Sequence, residues 1–148
     1  MSYDDPSTLV SALQGQDVLI ITLAVTAPRG TQDILVDAAA KAGVPFVVPN
    51  EWGLDVTHGT IGQDTMMGQA ILATRKKIEE LGKSSWIAMV TGFWYAFSLA
   101  SSEAYGFDLK NRKVTFYDEG TAKINNIVSF FLFPALIPSP SLSSSSAG

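Results

Sequence analysis

Three short apolar runs, Val18 to Ala24, Val44 to Val48 and Trp86 to Thr91, constrain the fold of this 148-residue chain more than any other feature. Each is too short for a helix of ordinary length and carries β-branched residues. Runs of this kind predict strands buried on both faces, as in a parallel sheet. Segments with helical spacing separate them. From Thr31 to about Ala42, the residues Ile34, Leu35, Ala38 and Ala42 share one face, with Thr31 as the predicted cap and Gly43 as the stop. A longer helix is predicted from roughly Asp64 to Leu81, ahead of Gly82. Before the first run, Asp5-Pro6 reads as an N-cap and first helical position. The helix it starts is expected to reach about Gln14, with Leu9, Val10 and Leu13 on one face and Gly15 as a left-handed stop. The alternation predicts the α/β class: a parallel sheet, flanking helices and right-handed crossovers.

The remainder of the chain changes character. Lys113 to Tyr117 and Thr121 to Ile124 flank Asp118-Glu119-Gly120, which predicts a small β-hairpin. The stretch from Ile127 to Ile137 is apolar but is broken by Pro134, and it falls short of the roughly 18 residues a spanning helix needs. Pro138 to Gly148 is rich in Ser and Pro and is expected to be disordered. The expected organisation is therefore one α/β region over 1–125 and a divergent tail over 126–148.

Charge and composition remove several classes of function. The formal net charge is -4, and no basic cluster is longer than Arg75-Lys76-Lys77, so the chain has no sequence signature of a phosphate-binding surface, and nucleic acid is not expected as a ligand. The absence of Cys excludes disulfides, thiolate metal sites and a cysteine nucleophile. The single His58 cannot alone build a zinc site and reads as a solvent-facing loop residue, so no metal is expected. Met1 to Asp5 has neither a basic nor an apolar region of the kind that opens a secretory signal. A cytoplasmic location without membrane attachment is the corresponding expectation.

Several strings then bear on ancestry. They are Tyr3-Asp4-Asp5-Pro6-Ser7-Thr8-Leu9 with Ala12-Leu13, then Gly15-Gln16-Asp17 leading into the first run. Further on come Gln32 with Leu35-Val36-Asp37-Ala38-Ala39, Gly43-Val44, and Phe46-Val47-Val48-Pro49-Asn50-Glu51-Trp52-Gly53. Ile78 to Trp86, Gly92-Phe93-Trp94-Tyr95 and Gly106-Phe107-Asp108 complete the set. Together, over about Tyr3 to Asn125, they resemble the NmrA-like family, particularly its fungal branch, which is related to isoflavone reductases.

The resemblance implies a partial Rossmann-like parallel sheet, with the hairpin drawn from the substrate-domain region, and NADP or NAD as cofactor. Members hold the pyrophosphate in a Gly-x-x-Gly-x-x-Gly turn at a helix N-terminus. This chain contains no such turn and is expected to start beyond it, lacking the family's first strands. The family's reductases also use a Lys as acid or base beside the nicotinamide, and aligning Arg75-Lys76-Lys77-Ile78-Glu79 puts Ile71 and Ala73 where it would fall. Neither can transfer a proton, so no catalytic residue is assigned. Tyr105 and Lys110 are five apart and do not form a Tyr-x-x-x-Lys pair.

By resemblance, the cofactor-facing residues are those at the carboxyl ends of the three runs: Thr22, Leu23 and Ala24; Pro49 and Asn50; Thr91, Gly92 and Phe93. Three functions follow: an NAD(P)-dependent oxidoreductase acting on a small aromatic substrate, a redox-sensing regulator that binds a protein partner without turnover, or a fragment without activity of its own. Without its neighbouring strand, Val18 to Ala24 would also present an open edge, and self-association is expected there.

Overall fold

A computed structural model of the chain describes residues 5–24, 26–101 and 104–128, and divides between Val90 and Thr91 into two units. In the first unit, β1 (Val18–Ile20), β2 (Phe46–Val48) and β3 (Ser85–Trp86) form one sheet in the order β1-β2-β3, and both pairings are parallel. The ladder runs past the strand ends, with Ile21 N donating to Val48 O at 2.9 Å and Ile87 N to Val47 O at 2.9 Å. Helix α1 (Pro6–Leu13) precedes the sheet, α2 (Thr31–Ala42) links β1 to β2, and α3 (Ile61–Asp64) with α4 (Met66–Leu81) links β2 to β3. The parallel α/β expectation therefore holds.

The core lies on one face of that sheet. Leu19, Val47 and Trp86 stand side by side in register, and against them pack Leu9 of α1, Leu35, Val36, Ala38 and Ala39 of α2 and Ile78 of α4. A buried aliphatic side chain of this size contributes roughly 1.5–3 kcal/mol. The opposite face corrects the expectation of strands buried on both sides for most of its length: Val18, Ile20 and Phe46 remain 42%, 43% and 44% exposed, and only Val48 at the end of β2 is buried there. When strand order follows chain order, every right-handed crossover returns over the same side, so the helices collect there. The strands are also shorter than their apolar runs.

Helix ends follow local chemistry more closely than the predicted limits. Gly30, at φ 84°, is the N-cap of α2, and Thr31 is its first helical residue, donating Oγ1 to Pro28 O at 2.8 Å. Gly43 ends the helix at φ 78°, and Val44 N returns to Ala39 O at 3.0 Å, closing the last turn as a left-handed cap does. Of the predicted inner face of α2, Leu35 and Ala38 are buried, but Val36 and Ala39 complete it, while Ile34 is exposed and Ala42 half-buried. Helix α4 starts at Met66 because the Thr65 hydroxyl accepts from Gly68 N at 2.9 Å.

Asp5 caps α1 as predicted. Its carboxylate accepts from the Thr8 and Ser7 hydroxyls at 2.6 and 2.7 Å and from Ser7 N and Thr8 N at 2.9 and 3.4 Å. These bonds, the Thr8 hydroxyl foremost, lower its pKa from 3.8 to about 2. A depressed folded-state pKa means the cap's contribution is complete above 3.8 and disappears as pH falls through about 2. Amide exchange at Ser7 and Thr8, corrected for intrinsic rates, should show protection lost across that window. In an Asp5→Asn chain, which caps without a charge, the step should be absent, and its persistence would mean another group titrates.

In the second unit, β4 (Phe93–Trp94) pairs in parallel with β7 (Asn126–Ile127), α5 (Tyr95–Ala100) follows β4, and β5 (Phe107–Asp108) pairs antiparallel with β6 (Lys113–Val114). A hairpin exists, but with other partners than predicted. Lys113–Val114 pairs backward with Phe107–Asp108 because the Asp108 carboxylate ties the turn, accepting from Asn111 N at 3.1 Å and Asn111 Nδ2 at 2.7 Å. Asp118-Glu119-Gly120 forms a turn, Gly120 N to Tyr117 O at 2.9 Å, without strands paired across it. The apolar stretch beyond Val128 and the Ser- and Pro-rich tail lie outside the described residues. Among the described residues no helix is long and apolar enough to cross a membrane.

Candidate functional site

Parallel strands deliver their carboxyl ends to one edge of a sheet, where α/β proteins place ligands. In the first unit that edge is built around Asn50. Pro49 is fully buried and carries no N–H, so it donates nothing toward β3, the side to which Val47 O is turned. Toward β1 the Asn50 carboxamide replaces the main-chain ladder: Leu23 N donates to Oδ1 at 3.0 Å, and Nδ2 donates to Leu23 O at 3.3 Å. Asn50 N in turn donates to Gln32 Oε1 at 2.7 Å, while Gln32 Nε2 donates to Thr74 Oγ1 at 2.9 Å. A chain of side-chain bonds thus ties the ends of β1 and β2 to α2 and α4.

Below this clamp the backbone reverses, Glu51 N donating to Pro49 O at 2.8 Å and Gly53 N to Glu51 O at 3.0 Å. The reversal turns Glu51 inward onto Arg75 of α4. Arg75 Nε and Nη2 reach Glu51 Oε2 at 3.0 and 2.9 Å, the side chains being 8% and 2% exposed. The Arg75 guanidinium also lies 4.4 Å from the centre of the Trp86 ring. Trp52 Nε1 donates to Ile21 O at 2.9 Å, fixing the loop to β1. Among the described residues no buried side-chain polar atom lacks a hydrogen-bond partner.

Leu23 and Asn50 are therefore brought together as the sequence suggested, but the Asn50 amide is committed to main chain and acts as a positioning group. Thr22 and Ala24 are exposed beside them, and Leu23 is half-buried. What this edge offers a ligand is the Thr22 hydroxyl, main chain and a small apolar wall. Sequence reasoning missed Gln32, Glu51, Thr74 and Arg75. A signal existed for two of them: Ile71, Thr74, Arg75 and Ile78 follow i, i+3, i+4, i+7 spacing, which places Arg75 on the buried face.

Thr91, Gly92 and Phe93 belong to the second unit. Thr91 Oγ1 accepts from Trp94 Nε1 at 3.2 Å, and Phe93 N donates to Asn125 O at 2.9 Å. Gly92, at φ 71°, backs closely onto Asn125. The Phe93 ring stands 5.7 Å from that of Tyr105, and the two line an open depression of about 340 Å³ with Phe116, Tyr117 and Ile124. The Tyr105 hydroxyl donates to Asn126 Oδ1. His58 is exposed in its loop, and among the described residues no three His, Asp or Glu side chains are grouped as metal ligands.

No protein-family model matches the chain. It is 34% identical over 118 residues to the oxidoreductase aprR of Aspergillus flavus, a match covering 76% of this chain and 38% of that protein. The chain thus spans well under half the length of the curated relative it matches. Among solved structures it is similar to the NADPH-dependent quinone oxidoreductase QOR2 of Escherichia coli, complexed with NADPH, at TM-score 0.55 and 22% identity over 71% of this chain and 36% of that one. It also matches AtPrR2, solved with NADP+ and (+)pinoresinol, at TM-score 0.48 and 24% identity over 60% and 31% of the two chains. The α/β fold with a parallel sheet is shared with the quinone oxidoreductase.

Proposed function

We propose that this chain supplies one wall of the nucleotide site of an NAD(P)-dependent oxidoreductase of the NmrA-like, isoflavone-reductase-like kind. The observation that carries the reading is the clamped edge at Leu23 and Asn50, which holds the carboxyl ends of two parallel strands where a dinucleotide would lie. The fungal oxidoreductase relative supports it. Thr22, Leu23 and Ala24 would border the nucleoside, and Pro49 with Asn50 would hold their backbone in place. A bound nicotinamide nucleotide supplies hydride transfer.

The fit is partial. The loop between β1 and α2 has one glycine, Gly30, and it serves as the helix N-cap, so no glycine-rich turn cradles a pyrophosphate there. The aromatic depression around Phe93 and Tyr105 suits a small aromatic substrate. Ile71 and Ala73, at the positions the resemblance gives to a proton-transferring Lys, favour a second reading in which the chain binds nucleotide for a regulatory protein contact without turnover.

The test is titration of the chain with NADPH and NADH, following nucleotide fluorescence and backbone amide shifts. Without a pyrophosphate turn, binding is expected at a Kd on the order of 1 mM. Shifts should concentrate at Thr22, Leu23, Ala24 and Asn50. Shifts that avoid these residues, or no saturable binding, would remove the proposal, and nucleotide oxidation by the chain alone would remove the second reading.

A further inference from the structure

We propose that Gln32 is a positioning residue for the nucleotide edge: anchored on Thr74, its carboxamide fixes Asn50 and, through Asn50, the main chain at Leu23. This role rests on the nucleotide reading of that edge, and it adds which interior group holds the edge in a binding geometry. All four residues, and the bonds between them, belong to the first unit.

Gln32 stands in the first turn of α2, half-buried, and bridges the loop after β2 to helix α4. Its carboxamide can face only one way. Asn50 N is a donor and meets Oε1 at 2.7 Å; a reversed carboxamide would set Nε2 against it, donor against donor. Nε2 then needs an acceptor, which Thr74 Oγ1 supplies at 2.9 Å, its own proton being given to Ala70 O at 3.1 Å. Donors and acceptors thus follow one fixed order from the α4 main chain to Asn50.

Asn50 passes the constraint on. With its N–H held, its carboxamide meets Leu23 at both N and O, as a neighbouring strand would. Leu23 lies between the exposed Thr22 and Ala24. Main chain that borders a ligand cannot adjust by changing rotamer, so affinity depends on its being held in place before the ligand arrives. The loop itself has a separate fastening, because Glu51, next to Asn50, is paired with Arg75, next to Thr74. That leaves to Gln32 the orientation of Asn50.

The test compares NADPH titrations of folded chains, followed by backbone amide shifts. Gln32→Met keeps the length of the side chain and removes both polar atoms. It should raise the Kd at least about fivefold, the worth of one hydrogen bond. In the free chain the Leu23 amide should exchange at least about tenfold faster, while Ile21, bonded to Val48 O, exchanges as before. Thr74→Val, which removes the anchor and keeps the shape, should weaken binding in the same direction, and Thr74→Ser, which keeps the hydroxyl, should not. Ile78→Val thins the core elsewhere on α4 and should leave the Kd unchanged. An unchanged Kd in Gln32→Met, or an equal loss in Ile78→Val, would overturn the positioning role while leaving the nucleotide reading in place. Absence of saturable binding by the unsubstituted chain would remove the reading and the role together. If Gln32→Met does not fold, Thr74→Val against Thr74→Ser decides: equal Kd values in these two overturn the role.

Discussion

An Arg75→Ala chain should lose about 3–5 kcal/mol of stability in its first unit, because the substitution leaves Glu51 as a buried, unpaired carboxylate. The Glu51 side chain is 2% exposed and has its charge partner in Arg75 of α4, 24 residues further along the chain. Loss of the guanidinium over Trp86 removes a further contact, typically about 0.5–2 kcal/mol. Urea unfolding followed by tryptophan fluorescence measures the change. The companion is a double variant, Glu51→Leu with Arg75→Met, which removes both charges and keeps apolar bulk. It should recover most of the lost stability, since replacing a whole buried ion pair is often neutral or favourable. A single-variant loss below about 1 kcal/mol would mean that the pair is solvated and behaves as a surface salt bridge.

Gly92→Ala should be among the most damaging small changes in the second unit, at about 2–5 kcal/mol. Gly92 sits at φ 71°, where an L side chain is strained, and a Cβ there would lie 2.4 Å from Asn125 O and 2.8 Å from Asn125 C. Both neighbours are main chain, so relief requires β4 and the Asn125 segment to separate, breaking the bond from Phe93 N to Asn125 O. Backbone strain of about 1–3 kcal/mol adds to overpacking of similar size. The matched control is Gly120→Ala, at φ 70°, where the nearest atom is a Phe116 side-chain carbon at 3.3 Å. There the cost should be only the left-handed conformation, about 1–2 kcal/mol. Exchange at the Phe93 amide and ring contacts between Phe93 and Tyr105 are the readouts, and equal effects of the two substitutions would refute the close approach at Asn125.

The candidate site was legible in outline and not in role. That Leu23 and Asn50 end neighbouring strands follows from two apolar runs and the Pro that breaks the second. That the Asn50 amide serves the Leu23 main chain, rather than a ligand, depends on the end of β1 lying alongside it, 27 residues away in the chain. The Gln32 to Thr74 contact joins residues 42 positions apart, so no local window contains it.

What the sequence by itself determined are the features whose causes lie within a turn of the chain. Asp5 beside Pro6 starts a helix, because the cap bonds reach only to Ser7 and Thr8; Gly43 and Gly82 end helices, because each can adopt a left-handed conformation. The alternation of apolar runs with helical segments determined the class and order of the layers. Only the tertiary structure decided that the helices cover one side of the sheet and leave Val18, Ile20 and Phe46 exposed on the other, that Arg75 turns inward to Glu51, and that Lys113–Val114 pairs with Phe107–Asp108. Burial and pairing are settled by which distant segments arrive alongside, and an apolar run reads the same whether one of its faces is covered or both.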